Sequence, residues 1–342
     1  MEAAFFYCQR AVVFVVLLSV GGMLFAAGGQ EVKSESKTLE DKVTMYASIT
    51  GIEPVIETFN SESGITAEVT RLSTANFVST VLTEFAAGKL QADVLQAPLP
   101  VLEILKDQGV IKDYVSPIGE TYPEWTRNNG GIYQFGIEYV ALIYNTELVK
   151  AEDVPKRYED ICDPKWKGKI VMANPASHAT TISWLVGLKE NNVFGSEENW
   201  YAFLEGLAAN SPMFVKSFGP TPAPIESGEM LIGISMPKYI ITKAPAPLGW
   251  AHVEQPLFGS PRAIAITADS PHPNAAEAFM EFWLSDKTTG ILSEQVGEYV
   301  LTPGVYPPIE GIKDADVRPI RDLSDEEIIS WGAKFEKIFA AK

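Results

Sequence analysis

From residue 43 to residue 109 the apolar positions alternate between a period of two and a period of three to four, three times over. Residues 43–48 (VTMYAS) are a run of strand formers. Pro54 opens a helix with Val55, Ile56 and Phe59 on one face, and Gly64 closes it where a left-handed residue suits a helix end. Ile65, Ala67 and Val69 alternate with polar neighbours and predict a second strand. Ser73 or Thr74 caps the next helix, whose stripe of Phe77, Val78, Val81, Leu82 and Phe85 runs to Gly88. Residues 92–95 form a short strand, and Pro98 and Pro100 start a third helix that stops at Gly109. Three strand–helix units in succession predict an α/β fold: a parallel sheet with helices on both faces.

The pattern resumes further on. Residues 137–144 and 169–173 read as apolar strands, and Ile182, Leu185 and Leu188 as a helix behind the polar segment 174–181. Trp200, Phe203 and Leu204 mark another helix. Strands follow at 213–216 and 230–235, with a short helix opened by Thr221 and Pro222 between them. Residues 263–267 predict a strand and 274–284 an amphipathic helix. Ser324 and Glu327 have capping-box spacing ahead of a last helix with Ile328, Ile329 and Trp331.

Open α/β sheets bind ligands beyond the carboxyl ends of their strands. Those ends carry Tyr46 and Ser48, Arg71 and Ser73, and Gln96. Ser177, Thr180 and Thr181 stand at the predicted start of the helix after residue 173, where free N–H groups and the helix dipole attract negative charge. Arg71 and Lys238 can add charge-assisted hydrogen bonds from the two sides of a cleft. Together they point to capture of a small organic anion.

Length and charge narrow the class. A chain of 342 residues exceeds what one core usually absorbs, so two lobes are expected. A net charge of −17 with no block of Lys and Arg repels phosphate backbones and anionic lipids, which argues against nucleic-acid and membrane-surface binding. Arg10, the apolar run 11–25 and the small residues Ala26, Ala27 and Gly28 predict a signal peptide over 1–27 and a polar tether over 28–41. The alternative for that run is a retained anchor. Cys8 lies within it, which leaves Cys162 as a lone thiol, read as structural. No G-x-S-x-G, P-loop or H-E-x-x-H occurs, and Ser177 and His178 are sequence neighbours that point apart on a helix. The expectation is therefore a binding protein without cofactor. A secreted hydrolase is the alternative of another class.

Four stretches, in this order, resemble the solute-binding proteins of ABC importers. They are 46–48 (YAS) with the helix and strand after it; 92–94 (ADV) with a helix ending at Gly109; Tyr144 and Asn145 leading to 163–169 (DPKWKGK); and 226–229 (ESGE) leading to 232–234 (IGI). A fifth, 273–285, resembles the family's late helix. The branch is the one with ferric-iron, thiamine, polyamine and phosphonate or sugar-phosphate binders. The resemblance implies a type II periplasmic binding protein: two doubly wound lobes joined by crossover strands and closing like a hinge. It places lobe 1 at 43–135 and 256–300, and lobe 2 at 136–255 and 301–342 with the C-terminal helix. It implies a periplasmic monomer that hands a small solute to an inner-membrane ABC permease. Ferric-iron members carry two adjacent tyrosines after the strand matched by 230–234, where this chain has Lys238 and Tyr239. An ammonium in place of one phenolate favours a phosphonate or sugar phosphate. Ferric iron, held by Tyr239 with Tyr139 standing in, is the alternative. Ser235 completes the expected ligand-binding set.

Overall fold

The computed structural model describes residues 39–340 apart from Asn129 and Asp322, so the predicted signal segment and most of the tether lie outside the described residues. The first strand–helix units are β1 (Lys42–Ala47), α1 (Glu53–Ser63), β2 (Thr66–Arg71), α2 (Thr74–Ala86), β3 (Val94–Pro98) and α3 (Leu99–Asp107). A two-residue strand β4 (Arg127–Asn128) precedes the long β5 (Ile132–Asn145). Then come β6 (Ile170–Ala173), α4 (Ala179–Glu190), α5 (Glu197–Ala209), β7 (Met213–Val215), α6 (Pro222–Glu226), β8 (Ile232–Ser235), α7 (Tyr239–Thr242) and β9 (Leu248–Trp250). The chain continues through β10 (Leu257–Ile266), α8 (Pro273–Leu284), α9 (Asp286–Ile291), β11 (Tyr299–Val300), β12 (Val317–Pro319) and α10 (Asp325–Ala340).

The main sheet path is β2-β1-β3-β10-β5-β8-β6-β7. It contains two parallel trios, β2-β1-β3 and β8-β6-β7, joined through the antiparallel strands β10 and β5. Helices cover both faces of the first trio. Val55 and Phe59 of α1 pack with Phe279 and Trp283 of α8 on one face, while Phe77 and Val81 of α2 pack with Leu102 and Leu105 of α3 on the other. The second trio has a larger core that includes Trp184, Trp200, Phe203 and Phe335. These are the two doubly wound lobes expected from the sequence. Among the described residues no helix is long and apolar enough to cross a membrane.

The crossover strands run further than the sequence pattern predicts. β5 pairs with β10 over Tyr133 to Val140 and with β8 over Ala141 to Tyr144, so one strand serves both lobes. Residues 257–262 carry Gly259, Ser260, Pro261 and Arg262, which look like strand breakers but are buried and paired. Gly259 lies opposite Tyr139, and a Cβ there would sit 2.2 Å from the Glu138 carbonyl oxygen. The close approach of two backbones requires the glycine.

Several predicted helix ends form. Gly64 adopts φ 72° and its N–H reaches the Asn60 carbonyl. Ser324 and Glu327 make the reciprocal capping box, at 2.9 and 3.3 Å. Two details differ from expectation. Ser73 caps α2 without using its hydroxyl. The cap of α4 is His178 rather than a hydroxyl residue, and Ser177 precedes the helix. Burial lowers the His178 pKa below 6.5, against the raising effect of Glu138, so at neutral pH its Nδ1 lone pair accepts the Thr181 N–H at 3.3 Å. The Cys162 thiol is pushed up to about 12, by burial first and then by Glu159 and Asp160, which fits a structural group rather than a nucleophile.

Candidate functional site

The candidate residues lie at the carboxyl ends of β1, β2 and β3, on the crossover strands β5 and β10, and in the segment before β11. The first wall is set by Gln96, which is fully buried at the end of β3. Its Oε1 accepts the backbone N–H of Ile49 at 2.8 Å and of Ser48 at 3.2 Å, fixing the loop after β1. Its Nε2 is buried with no partner. Arg71 and Ser73 are exposed at the end of β2 and the cap of α2, and neither side chain has a partner among the described residues. Tyr46 turns the other way. It packs in the cluster with Phe77 and donates to Glu84 at 2.9 Å, and burial followed by that contact raises its pKa to about 12.

Lys238 belongs to a buried line of four charges, and the sequence reading missed the other three. Lys238 Nζ lies 3.1 Å from Glu298 Oε1, Arg262 Nε 3.0 Å from Glu298 Oε2, and Arg262 Nη2 3.2 Å from Glu138 Oε1. The Lys238, Glu298 and Arg262 side chains are under a tenth exposed, and Glu138 about a fifth. Burial alone would protonate Glu298, but Arg262 and Lys238 outweigh it and hold the carboxyl below 4.5. Burial likewise opposes the Arg262 charge, and Glu138 and Glu298 overcome it. The line sums to zero, so Lys238 is already answered by Glu298 rather than presenting a free ammonium. Nothing local in the sequence marks these residues, because they come from four separate segments. A buried charge without a partner is costly, and only the fold supplies the partners.

Beside this line Tyr139 is 3 % exposed, and its hydroxyl has no hydrogen-bond partner. It borders a small void that Lys238, Gly297 and Glu298 also line. Burial, with Glu298 and Tyr299 adding to it, drives its pKa well above 10. Tyr239 is also raised, by burial, Glu138 and Glu298, against the lowering effects of Arg262 and Arg71. Both phenols therefore stay protonated near neutral pH and can donate.

On the second wall, Ser177 is exposed and Thr180 half-buried, and neither hydroxyl is engaged among the described residues. Thr181 and Ser235 are buried and bonded internally, to His178 Nδ1 at 2.9 Å and to Thr221 Oγ1 respectively. Taken together these residues offer hydroxyl, phenol and guanidinium donors, and the line of four charges is neutral overall. Among the described residues no group of three or more His, Cys, Asp and Glu is placed to hold a metal ion.

The sequence family described as bacterial extracellular solute-binding protein matches residues 55–319. The chain belongs to this family. Iron uptake protein A1 of Synechocystis sp. is 24% identical over 313 residues, covering 84% of each chain. A Salmonella typhimurium protein, named as a candidate 2-aminoethylphosphonate-binding periplasmic protein, is 27% identical over 143 residues, or 42% of this chain and 40% of its own length. Among solved structures, the substrate-binding protein of an ABC transporter from Agrobacterium tumefaciens superposes with a TM-score of 0.74 at 14% identity, covering 88% of this chain and 96% of that one. By family this chain is a solute-binding protein, not an enzyme. Members of the family bind a small solute and work with an inner-membrane permease.

Proposed function

We propose that the protein captures a small organic anion of the phosphonate or sugar-phosphate type in the periplasm, as a monomer released from its signal segment near Ala27. The observation that carries this reading is the start of α2. There the exposed guanidinium of Arg71 and the unspent hydroxyl of Ser73 precede a 13-residue helix, with no acceptor for either among the described residues. An anion at such a start gains both donors and the helix dipole. Ser177 and Thr180 offer the same chemistry from the second lobe, and the hydroxyl of Tyr139 is a buried donor that needs an acceptor. The relative named for 2-aminoethylphosphonate supports the same class.

Ferric iron is the second reading, favoured by the similarity to iron uptake protein A1 and by Tyr139 and Tyr239 beside Glu138 and Glu298. Against it, the carboxylates are committed to Lys238 and Arg262. Titration of the mature protein decides between them: calorimetry with alkylphosphonates and sugar phosphates, and visible absorbance with ferric citrate. Heat from a phosphate-bearing or phosphonate ligand without a charge-transfer band is expected. A strong band with iron and no heat from any organic anion would sink the anion reading.

A further inference from the structure

We propose that the Lys238–Glu298 ion pair is a reversible latch, which holds the two strand trios together whether or not a solute is bound and breaks when they part. This goes beyond the reading above and does not depend on which solute is carried.

The partners of the pair belong to different cores. Glu298 lies between Val296 and Val300, both buried in the core of the first trio. Lys238 lies between Met236 and Tyr239, both buried in the core of the second. Each is also fastened to a different stretch of β5. β11, which directly follows Glu298, pairs with Gly136 and Ile137, whereas β8, which leads into Lys238, pairs with residues 141–144. The intervening residues 138–140 pair with β10. A bend of the crossover strands over those residues therefore moves Lys238 relative to Glu298.

The other charges make this bond the one that can break at low cost. Glu298, Arg262 and Glu138 ride on one ladder: Arg262 and Val300 both lie opposite Gly136, and Ser260 lies opposite Glu138. Their own ion pairs, at 3.0 and 3.2 Å, travel with that ladder. When the trios part, Lys238 moves into water and Glu298 keeps Arg262, so no buried charge is left alone. In the joined state Lys238 and Glu298 are both under a tenth exposed, which keeps water from weakening the bond between them. A fully solvated pair would hold little, and one whose rupture stranded a charge would not reopen readily.

The test is alkylation of a thiol placed at this joint. Met236 is 6 % exposed and lines the small void that Lys238, Gly297 and Glu298 share, so parting of the trios uncovers it. In Met236→Cys protein without added solute, the rate of reaction with iodoacetamide follows the open fraction. Lys238→Met, which keeps most of the side-chain volume, is expected to speed that reaction about tenfold, the share of one charged hydrogen bond. Glu298→Gln should act alike, and the double variant should be no faster than the faster single one. Cys162, half-buried against Phe203 and Gly206 of α5, is the control within the same molecules, and its rate should not change. An unchanged rate at position 236 in Lys238→Met overturns the latch. So does equal acceleration at both thiols, which marks general unfolding, or single effects that multiply in the double variant. Should Met236→Cys fail to fold, small-angle scattering on Lys238→Met alone decides: its unliganded radius of gyration should exceed that of the wild type, and an equal radius overturns the inference.

Discussion

At the scale of single residues, the cleft floor separates side chains that hold the protein together from side chains left for a solute. We place Tyr139 in the second kind: its hydroxyl is buried and makes no bond among the described residues. Tyr139→Phe removes an unsatisfied donor, so the unliganded melting temperature should stay level or rise while affinity for the anion falls about tenfold. Calorimetry and thermal melts on the same preparation check both halves. Glu298 belongs to the first kind. Glu298→Gln strands Lys238, leaves Arg262 with Glu138 alone, and should cost about 3 kcal/mol in denaturant unfolding. Because its folded pKa is held below 4.5, its stabilising share is present above that value and is lost as pH falls through the lower, folded value. The variant's stability should accordingly fall less steeply than the wild type's below about pH 4.5. Of the twelve residues picked from the sequence, Arg71, Ser73, Ser177, Thr180, Tyr139 and Tyr239 keep side-chain donors without partners among the described residues, whereas Tyr46, Thr181, Ser235 and Lys238 spend theirs internally. Residue type and strand-end position were legible in advance. Whether a neighbour had already claimed the group was not, because Glu84, Thr221 and Glu298 lie far along the chain from the residues they engage.

At the scale of elements, the short turn Leu292–Val296 and the glycine after it bring the end of the first lobe against α7 of the second. Gly297 sits at φ 75°, and a Cβ would come within 2.9 Å of Lys238 Cα. Gly297→Ala therefore meets both backbone strain and a backbone clash. We expect a loss of about 1–3 kcal/mol in denaturant unfolding, together with weaker solute binding as Lys238 is displaced from Glu298. A variant with wild-type stability and affinity would show that this contact is slack. The parallel trios were readable because each strand and helix carries its own period and its own stop, as Gly64 and Gly109 show. The outer halves of β5 and β10 were not. Gly136, Gly259 and Pro261 break the local pattern, and their strand conformation is imposed by pairing across the hinge.

At the scale of the whole molecule, the donors proposed for the solute come from both strand trios: Arg71 and Ser73 beside the first, Ser177, Thr180 and Tyr239 beside the second. A solute that touches both gains its full contact energy only when they approach, so it shifts the population toward closure. Moving from mostly open to mostly closed takes a differential affinity of about 10⁴, or roughly 5.5 kcal/mol, within reach of a few charge-assisted hydrogen bonds. Small-angle scattering should show the radius of gyration falling at saturation. An unchanged radius, with the unliganded form shown to be open, would rule closure out. The sharing of β5 between both sheets has a further, thermodynamic consequence. Melting either lobe strips hydrogen bonds from a strand the other lobe needs, so neither is a free-standing cooperative unit. Calorimetric unfolding should then be a single transition whose van't Hoff and measured enthalpies agree. A solute seated on only one wall still raises the midpoint of that common transition, so a thermal-shift screen reports occupancy whichever lobe holds the solute.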